Sequence, residues 1–449
     1  MGSSSQIAIR IGDTSNQKIA LLLHKLYRNT SPKLRLEDRI PSALELQKGI
    51  FMIAICLAPC YLLLCWYLWR RAIRWMGSCH HVFEHKGVQI GMFILYAFLA
   101  LSIVIAFLLP HSDFQRFLKM VSNYWLGVLL YIILTVVVAD LLRFILKRTR
   151  FPHKEKLFSR GGHAVVGTIC LCVICAFSVL GIYTARHTVV TQQDITIEKS
   201  GGTLDSLHVV LVADLHLGYS IGNDHMKQMV KKINALDPDV VLVAGDIFDN
   251  EYEAIKDPDK VAETLSGIKS KYGVYATYGN HDIQEPILAG FTFGGKDEKK
   301  QSDPRMDAFM QKAGLTLLQE KGVWIDDSVY LYGRPDYERP GRGITKRKTP
   351  KEITKNIDKS KPIIVLEHEP RQLQELADAG VDAQLCGHTH DGQMFPGNLT
   401  INLLWENAYG YKKEDGMHSI VTSGVGVFGP NMRVGTKSEI YDIHMTFRP

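Results

Sequence analysis

HVVLVADLHLG, residues 208–218, is a β-branched apolar run that stops at a carboxylate, one apolar spacer and an imidazole. It reads as a buried strand whose carboxy-terminal edge carries a metal site. Alternation along a strand puts residues i and i+2 on one face, so Asp214 and His216 can reach one ion together. Asp-x-His alone is a weak signal. It gains weight because the pattern recurs: the apolar run 240–244 leads into Gly245-Asp246, and 274–278 into Gly279-Asn280-His281-Asp282. Further on, 363–366 leads into Glu367-His368-Glu369-Pro370, and 383–385 into Cys386-Gly387-His388-Thr389-His390. Between these runs lie helical faces (Met226, Met229, Val230, Ile233 and Leu236; then Val261, Leu265 and Ile268). Strands alternating with helices predict an α/β unit with its ligands at strand carboxy-terminal ends.

In this order DLH, GDIFD, GNHD, the lone His368 and GHTH resemble the calcineurin-like metallophosphoesterases, over residues 206–443. GHTHDGQ and SGVGVFGPNMRVGTKSEI look most like the membrane-associated bacterial phosphodiesterase branch, which includes enzymes related to UDP-2,3-diacylglucosamine hydrolases. Asp391 departs from that branch, which commonly has glycine there. The resemblance implies an α-β-β-α four-layer sandwich and two divalent metal ions, Mn²⁺, Fe²⁺ or Zn²⁺. Asp214, His216 and His390 would hold one ion, Asn280, His368 and His388 the other, with Asp246 bridging. The mixed oxygen and nitrogen donors suit those metals. Two ions about 3.5–4 Å apart would polarise a phosphoryl group and activate water. His281 would be the acid for the leaving oxygen, oriented by Asp282.

Other residues carry plainer readings. Asp249 reads as a turn or cap residue that at most supports a ligand, His225 and His418 as solvated or structural, and Arg433 as a surface arginine or a substrate-phosphate contact. The apolar GFTFGG, residues 290–295, reads as a loop or a lid. The basic insert 338–361 reads as a solvated face or as a contact for anionic headgroups.

Upstream, composition changes near residue 187. Residues 50–69, 88–109, 124–146 and 164–184 each approach the roughly 20 apolar residues that cross a bilayer. Asp140 and Arg143 are read as an i,i+3 pair at the interface. The expected organisation is 1–48, a basic segment with an amphipathic helix around Ile19–Tyr27; 49–187, a four-span helical transmembrane domain; and 188–449, the metallophosphoesterase domain. Seven of the eight cysteines lie upstream of residue 187, so the carboxy-terminal unit, with Cys386 alone, has no internal disulfide. Cys172 and Cys175 read as packing within an apolar helix.

Lys and Arg cluster in the first and third connections, which the positive-inside rule places in the cytoplasm. The expectation is therefore a multi-pass protein of a bacterial cell membrane with an extracytoplasmic catalytic domain. A formal charge of +6, concentrated beside the apolar stretches, suggests lipid headgroups as partners and no nucleic acid. The function expected is hydrolysis of a phosphodiester or pyrophosphate in a phosphorylated lipid or lipid-linked envelope substrate. The alternative is a regulatory, non-catalytic domain on a lipid-binding or transport bundle.

Overall fold

The computed structural model describes residues 43–150, 152–284, 287–288, 291–292, 303–340, 344 and 346–448, with backbone alone for 43–57 and 287–292. The amphipathic helix expected within 1–48 lies outside the described residues, as does most of the GFTFGG loop.

Four long helices come first: α1 (Ala43–Cys79), α2 (Lys86–Leu108), α3 (Asp113–Arg148) and, after the short α4 (Lys154–Phe158), α5 (Arg160–Arg186). Helices α2, α3 and α5 are long and apolar enough to cross a membrane. The remaining expected span, 50–69, falls inside α1, partly among residues described by backbone alone. Ser112 caps α3 by accepting from Gln115 N (3.1 Å), and Lys147 and Arg148 close its last turn, where the helix dipole favours cations.

At 1.5 Å per residue the 36 residues of α3 run about 54 Å, beyond the ~30 Å of hydrocarbon. The surplus lies at its amino-terminal end and seats the downstream unit. Gln115 donates to Tyr219 Oη (3.2 Å), Arg116 Nη1 to the Ala254 carbonyl (2.6 Å), and Asn123 to Ser220 Oγ (2.9 Å). Gly127 packs closely on the Met432 side chain, and a Cβ there would stand 2.7 Å from Met432 Sδ and require that side chain to shift.

Two readings of the helical region are corrected. Asp140 does not pair with Arg143. It binds Arg71 Nη2 on α1 (2.5 Å) and accepts from Tyr67 Oη, while Arg143 lies over the Phe158 ring (5.7 Å). Cys172 and Cys175 are exposed on the outer surface of α5 and not packed within it.

Strand β1 (Val189–Ile197) begins three residues after α5 ends. The first six-stranded sheet contains β1, β2 (Ser206–Val212), β3 (Val240–Ala244), β4 (Val274–Thr277), β7 (Thr316–Leu317) and β14 (Glu439–Phe447), ordered β1-β14-β2-β3-β4-β7. The second contains β8 (Lys321–Ile325), β9 (Val329–Gly333), β10 (Ile363–Leu366), β11 (Ala383–Cys386), β12 (Gly410–Glu414) and β13 (Met417–Val421), ordered β12-β13-β11-β10-β9-β8. Both are mixed: β2-β3-β4-β7 and β13-β11-β10-β9 run parallel, with antiparallel pairs toward the edges. A small hairpin, β5 (Ile287–Leu288) with β6 (Phe291–Thr292), stands apart.

Alternation sorts the strand side chains into three apolar layers. Val209, Leu211 and Leu242 meet Leu331, Ile364, Leu385 and Ile420 between the sheets. Val210, Val212, Val241 and Val243 pack outward on α6 (Asn223–Leu236) and α7 (Pro258–Ser266). Ile363 and Val365 pack outward on α8 (Pro350–Thr354) and α9 (Leu373–Asp378). Strands covered on both faces are read as unbroken apolar runs, which is why they were legible. The parallel arrangement brings the carboxy-terminal ends of β2, β3, β10 and β11 to one rim.

The insert 338–361 is not simply a solvated face. Arg347 is buried, and its Nη1 donates to Glu367 Oε2 (2.8 Å) and to the Pro335 carbonyl (3.2 Å).

Candidate metal centre

At that rim the chain bends sharply. Asp214 (φ 53°), His216 (45°), Asp246 (50°), His388 (76°) and His390 (51°) all occupy the left-handed region, which non-glycine residues enter at a cost and which clusters at functional sites. Backbone bonds across strands hold the bends: Asp214 N donates to Gly245 O and His216 N to Asp246 O, both at 3.0 Å. A Cβ on Gly279 would lie 2.3 Å from Asp246 Oδ1, so GNHD must begin with glycine.

Asp214, His216 and His390 converge as one group of donors that could hold a metal ion, and Asp246, His368 and His388 as a second. His216 Nε2 and His390 Nε2 face each other at 3.0 Å, and His388 Nδ1 and His368 Nε2 at 3.1 Å. Asn280 Oδ1 is 3.1 Å from both nitrogens of the second pair. Asp246 Oδ2 lies between the groups, 3.0 Å from His368 Nε2 and 3.6 Å from His216 Nε2. All seven nominated ligands are thus brought together.

The donor chemistry fits divalent cations. Facing imidazole lone pairs and buried carboxylates are satisfied together by a cation, and the set has no thiolate. Burial holds the His388 and His390 imidazoles well below their ordinary value, so both are neutral, the form that donates a lone pair. His368 Nδ1 lies 2.8 Å from the Ala244 carbonyl, which leaves its Nε2 for the cluster.

His281 stands at the edge, its ring 5.2 Å from His216 and 4.5 Å from Phe428. Its orientation differs from expectation. Asp282 does not hold the ring; its carboxylate accepts from Gly279 N (2.6 Å) and Phe248 N (2.8 Å) and so braces the two loops. Asn250 holds the ring: its Oδ1 meets His281 Nδ1, and its Nδ2 donates to the Ile283 carbonyl (3.3 Å), which fixes the amide. Burial pushes the His281 imidazole down to about 4 and the Asp282 carboxyl up to about 7. Asp282→Ala is expected to leave two buried N–H groups unpaired at about 1–3 kcal/mol each, which a lowered Tm in thermal unfolding would register.

Several contributors escaped the sequence reading. Arg433, read as a surface residue, is fully buried, with Nη2 3.1 Å from His390 Nδ1 and donating to the carbonyls of Ser423 (2.6 Å) and Gly426 (2.7 Å). Glu367, beside ligand candidate His368, accepts from Arg334, Arg347 and Gln384 in a sealed ionic cluster. Asp249, read as a turn or cap residue that at most supports a ligand, does lie behind one, with Oδ1 3.5 Å from His216 Nδ1. Asp336 is buried three residues past the end of β9, so the rule of an apolar strand leading into a polar cluster could have found it. His418 is structural, bonded to Tyr411 Oη (3.1 Å) and the Thr196 carbonyl (3.0 Å), and His225 Nε2 lies 3.2 Å from the Val425 carbonyl.

Known proteins share these features. The family described as calcineurin-like phosphoesterase matches residues 207–392. A transmembrane protein with metallophosphoesterase domain from Danio rerio is 26% identical over 399 residues, covering 84% of this chain and 85% of that one. An uncharacterized metallophosphoesterase from Aquifex aeolicus is 30% identical over 262 residues, 58% of this chain and 91% of that one. The UDP-2,3-diacylglucosamine pyrophosphatase LpxG of Chlamydia trachomatis is 23% identical over 264 residues, 51% of this chain and 78% of that one. The strand-end motifs, the paired donor groups and the Aquifex aeolicus alignment agree, and the chain belongs to the calcineurin-like metallophosphoesterases.

Proposed function

We propose that this chain is a membrane-anchored phosphoesterase that uses two divalent cations to cleave a phosphodiester or pyrophosphate bond in a lipid or lipid-linked substrate. One observation carries the lipid part. Leu399, Leu403 and Leu404 are 62, 84 and 76% exposed, in a segment that runs straight into Trp405, whose ring lies 4.9 Å from that of His388. An apolar ridge beside a polar cleft suits a substrate with both kinds of surface. The same segment follows Phe395, whose carbonyl accepts from Tyr131 on α3 (3.4 Å), so the ridge adjoins the apolar helices. The distant likeness to a pyrophosphatase that acts on a diacylated nucleotide sugar agrees with this reading.

In the reading we favour, Asp214, His216 and His390 hold one cation, Asn280, His368 and His388 the other, and Asp246 is shared. When bound, the cations supply Lewis-acid polarisation of a phosphoryl oxygen and lower the pKa of a water. The chain's residues do the rest. Asn250 Oδ1 accepts from His281 Nδ1, so in the neutral ring Nε2 carries the lone pair and takes up a proton before giving it to the leaving oxygen. Phe428, its ring tilted against those of His281 and His216, walls that side. The basic connections lie at the helix ends opposite the phosphoesterase unit: Arg160 binds Glu84 (2.8 Å), whereas Arg116 reaches Ala254. With the positive-inside rule, that polarity supports an extracytoplasmic catalytic unit.

The test is lipid-extract profiling with Mn²⁺, comparing the active protein with an Asp246→Asn variant and seeking the species only the former consumes. Replacing Leu403 and Leu404 together by Asp is expected to cut turnover of a vesicle-borne substrate at least about tenfold, since each leucine buried in hydrocarbon contributes about 1.5–3 kcal/mol. Hydrolysis of soluble bis-p-nitrophenyl phosphate should not change. Equal losses on both substrates would count against the lipid assignment.

A further inference from the structure

The helices form a half-open cavity that the metal centre does not use. It measures about 440 Å³ and lies between α3 and α5, walled by Leu134, Val138, Val166 and Val173 among others. Tyr131 and Phe395 close the end toward the phosphoesterase unit, and Arg71, Arg143 and His163 line the opposite end. Tyr131 and Arg143 are 12 residues apart on one helix, about 18 Å. The shape is a long apolar slot with a cationic end.

The charge there is unbalanced. Asp140 is engaged by Arg71 and Tyr67. Arg143 and Lys147 both lie over the Phe158 ring, at 5.7 and 5.8 Å, which holds two cations at the mouth of the slot. Cations at the edge of a bilayer attract anionic headgroups.

We infer that this cavity binds one anionic phospholipid, with its phosphate at Arg143 and His163 and one acyl chain along the slot toward Phe395. Charge complementarity selects this occupant over a neutral lipid, and the apolar walls select a lipid over a soluble phosphate. The site goes beyond the hydrolytic reading. Its phosphate sits at the end of the slot away from the phosphoesterase unit that carries the His and Asp donors, so the lipid is a resident ligand and not the substrate.

Native mass spectrometry of the purified full chain in mild detergent, given phosphatidylglycerol or phosphatidylcholine, tests this. One phosphatidylglycerol should be retained in preference to phosphatidylcholine. Arg143→Gln should weaken its retention about fivefold, the effect of one cation near the headgroup, while Arg143→Lys keeps most of it. Ala139→Phe, which fills the slot, should release the lipid. Unchanged melting temperatures would show that the variants fold. Equal retention of the two lipids by the wild type, or wild-type retention by Arg143→Gln, overturns the proposal whatever the hydrolysis assays show.

Discussion

Asp246→Asn in the purified full chain is expected to lower kcat/KM for bis-p-nitrophenyl phosphate with Mn²⁺ by more than about 100-fold, the upper range for losing a residue that merely supports a metal ligand. The expectation follows from position. Asp246 is the one carboxylate placed between the two donor groups, and its Oδ1 also accepts from His281 N (2.8 Å). An amide keeps the shape, but it removes the negative charge and offers one acceptor oxygen in place of two. Metal content by elemental analysis should fall in parallel. Near-wild-type activity in this variant would refute the assigned centre.

The second large effect is expected at Arg433. Its guanidinium is fully buried and spans His390, Ser423, Gly424 and Gly426, so it ties the GHTH loop to the segment after β13. Lysine keeps the charge but loses the planar fork that reaches several acceptors at once. Arg433→Lys should therefore weaken metal binding through His390 by about 10–100-fold while the fold persists, read as a higher Mn²⁺ concentration for half-maximal activity. Arg433→Met leaves several buried carbonyls unpaired, and its main effect should be a lowered Tm. If Arg433→Lys binds Mn²⁺ as the wild type does, the arginine is structural only.

The two predictions differ in where their grounds lie. Asp246 was legible because a ligand at a strand end follows an apolar run within one or two residues, a pattern local to the chain. The same locality exposed Asp214, His216, Asn280, His368, His388 and His390. It also found the apolar helices, whose length and composition need no partner to be read.

The bracing of those residues was not legible. Asn250 meets His281 across 31 positions, Arg71 meets Asp140 across 69, and Arg433 meets His390 across 43. Local spacing carries no trace of such pairs. The reading of Asp282 as the partner of His281 failed for this reason: adjacency in the chain pointed to it, whereas the turn directs its carboxylate to Gly279 N and Phe248 N. The i,i+3 reading of Asp140 and Arg143 failed likewise, because the neighbouring helix supplied a closer cation.

The α/β class, the strand ends that carry the donors and the presence of membrane-length helices could all be read from the chain, since each depends on short-range periodicity. Folding alone set which groups orient those donors, the insertion of the nine-residue β14 between β1 and β2, and the cationic slot between α3 and α5. Such features arise where distant segments share one volume, and packing, unlike periodicity, is a property of the folded chain alone.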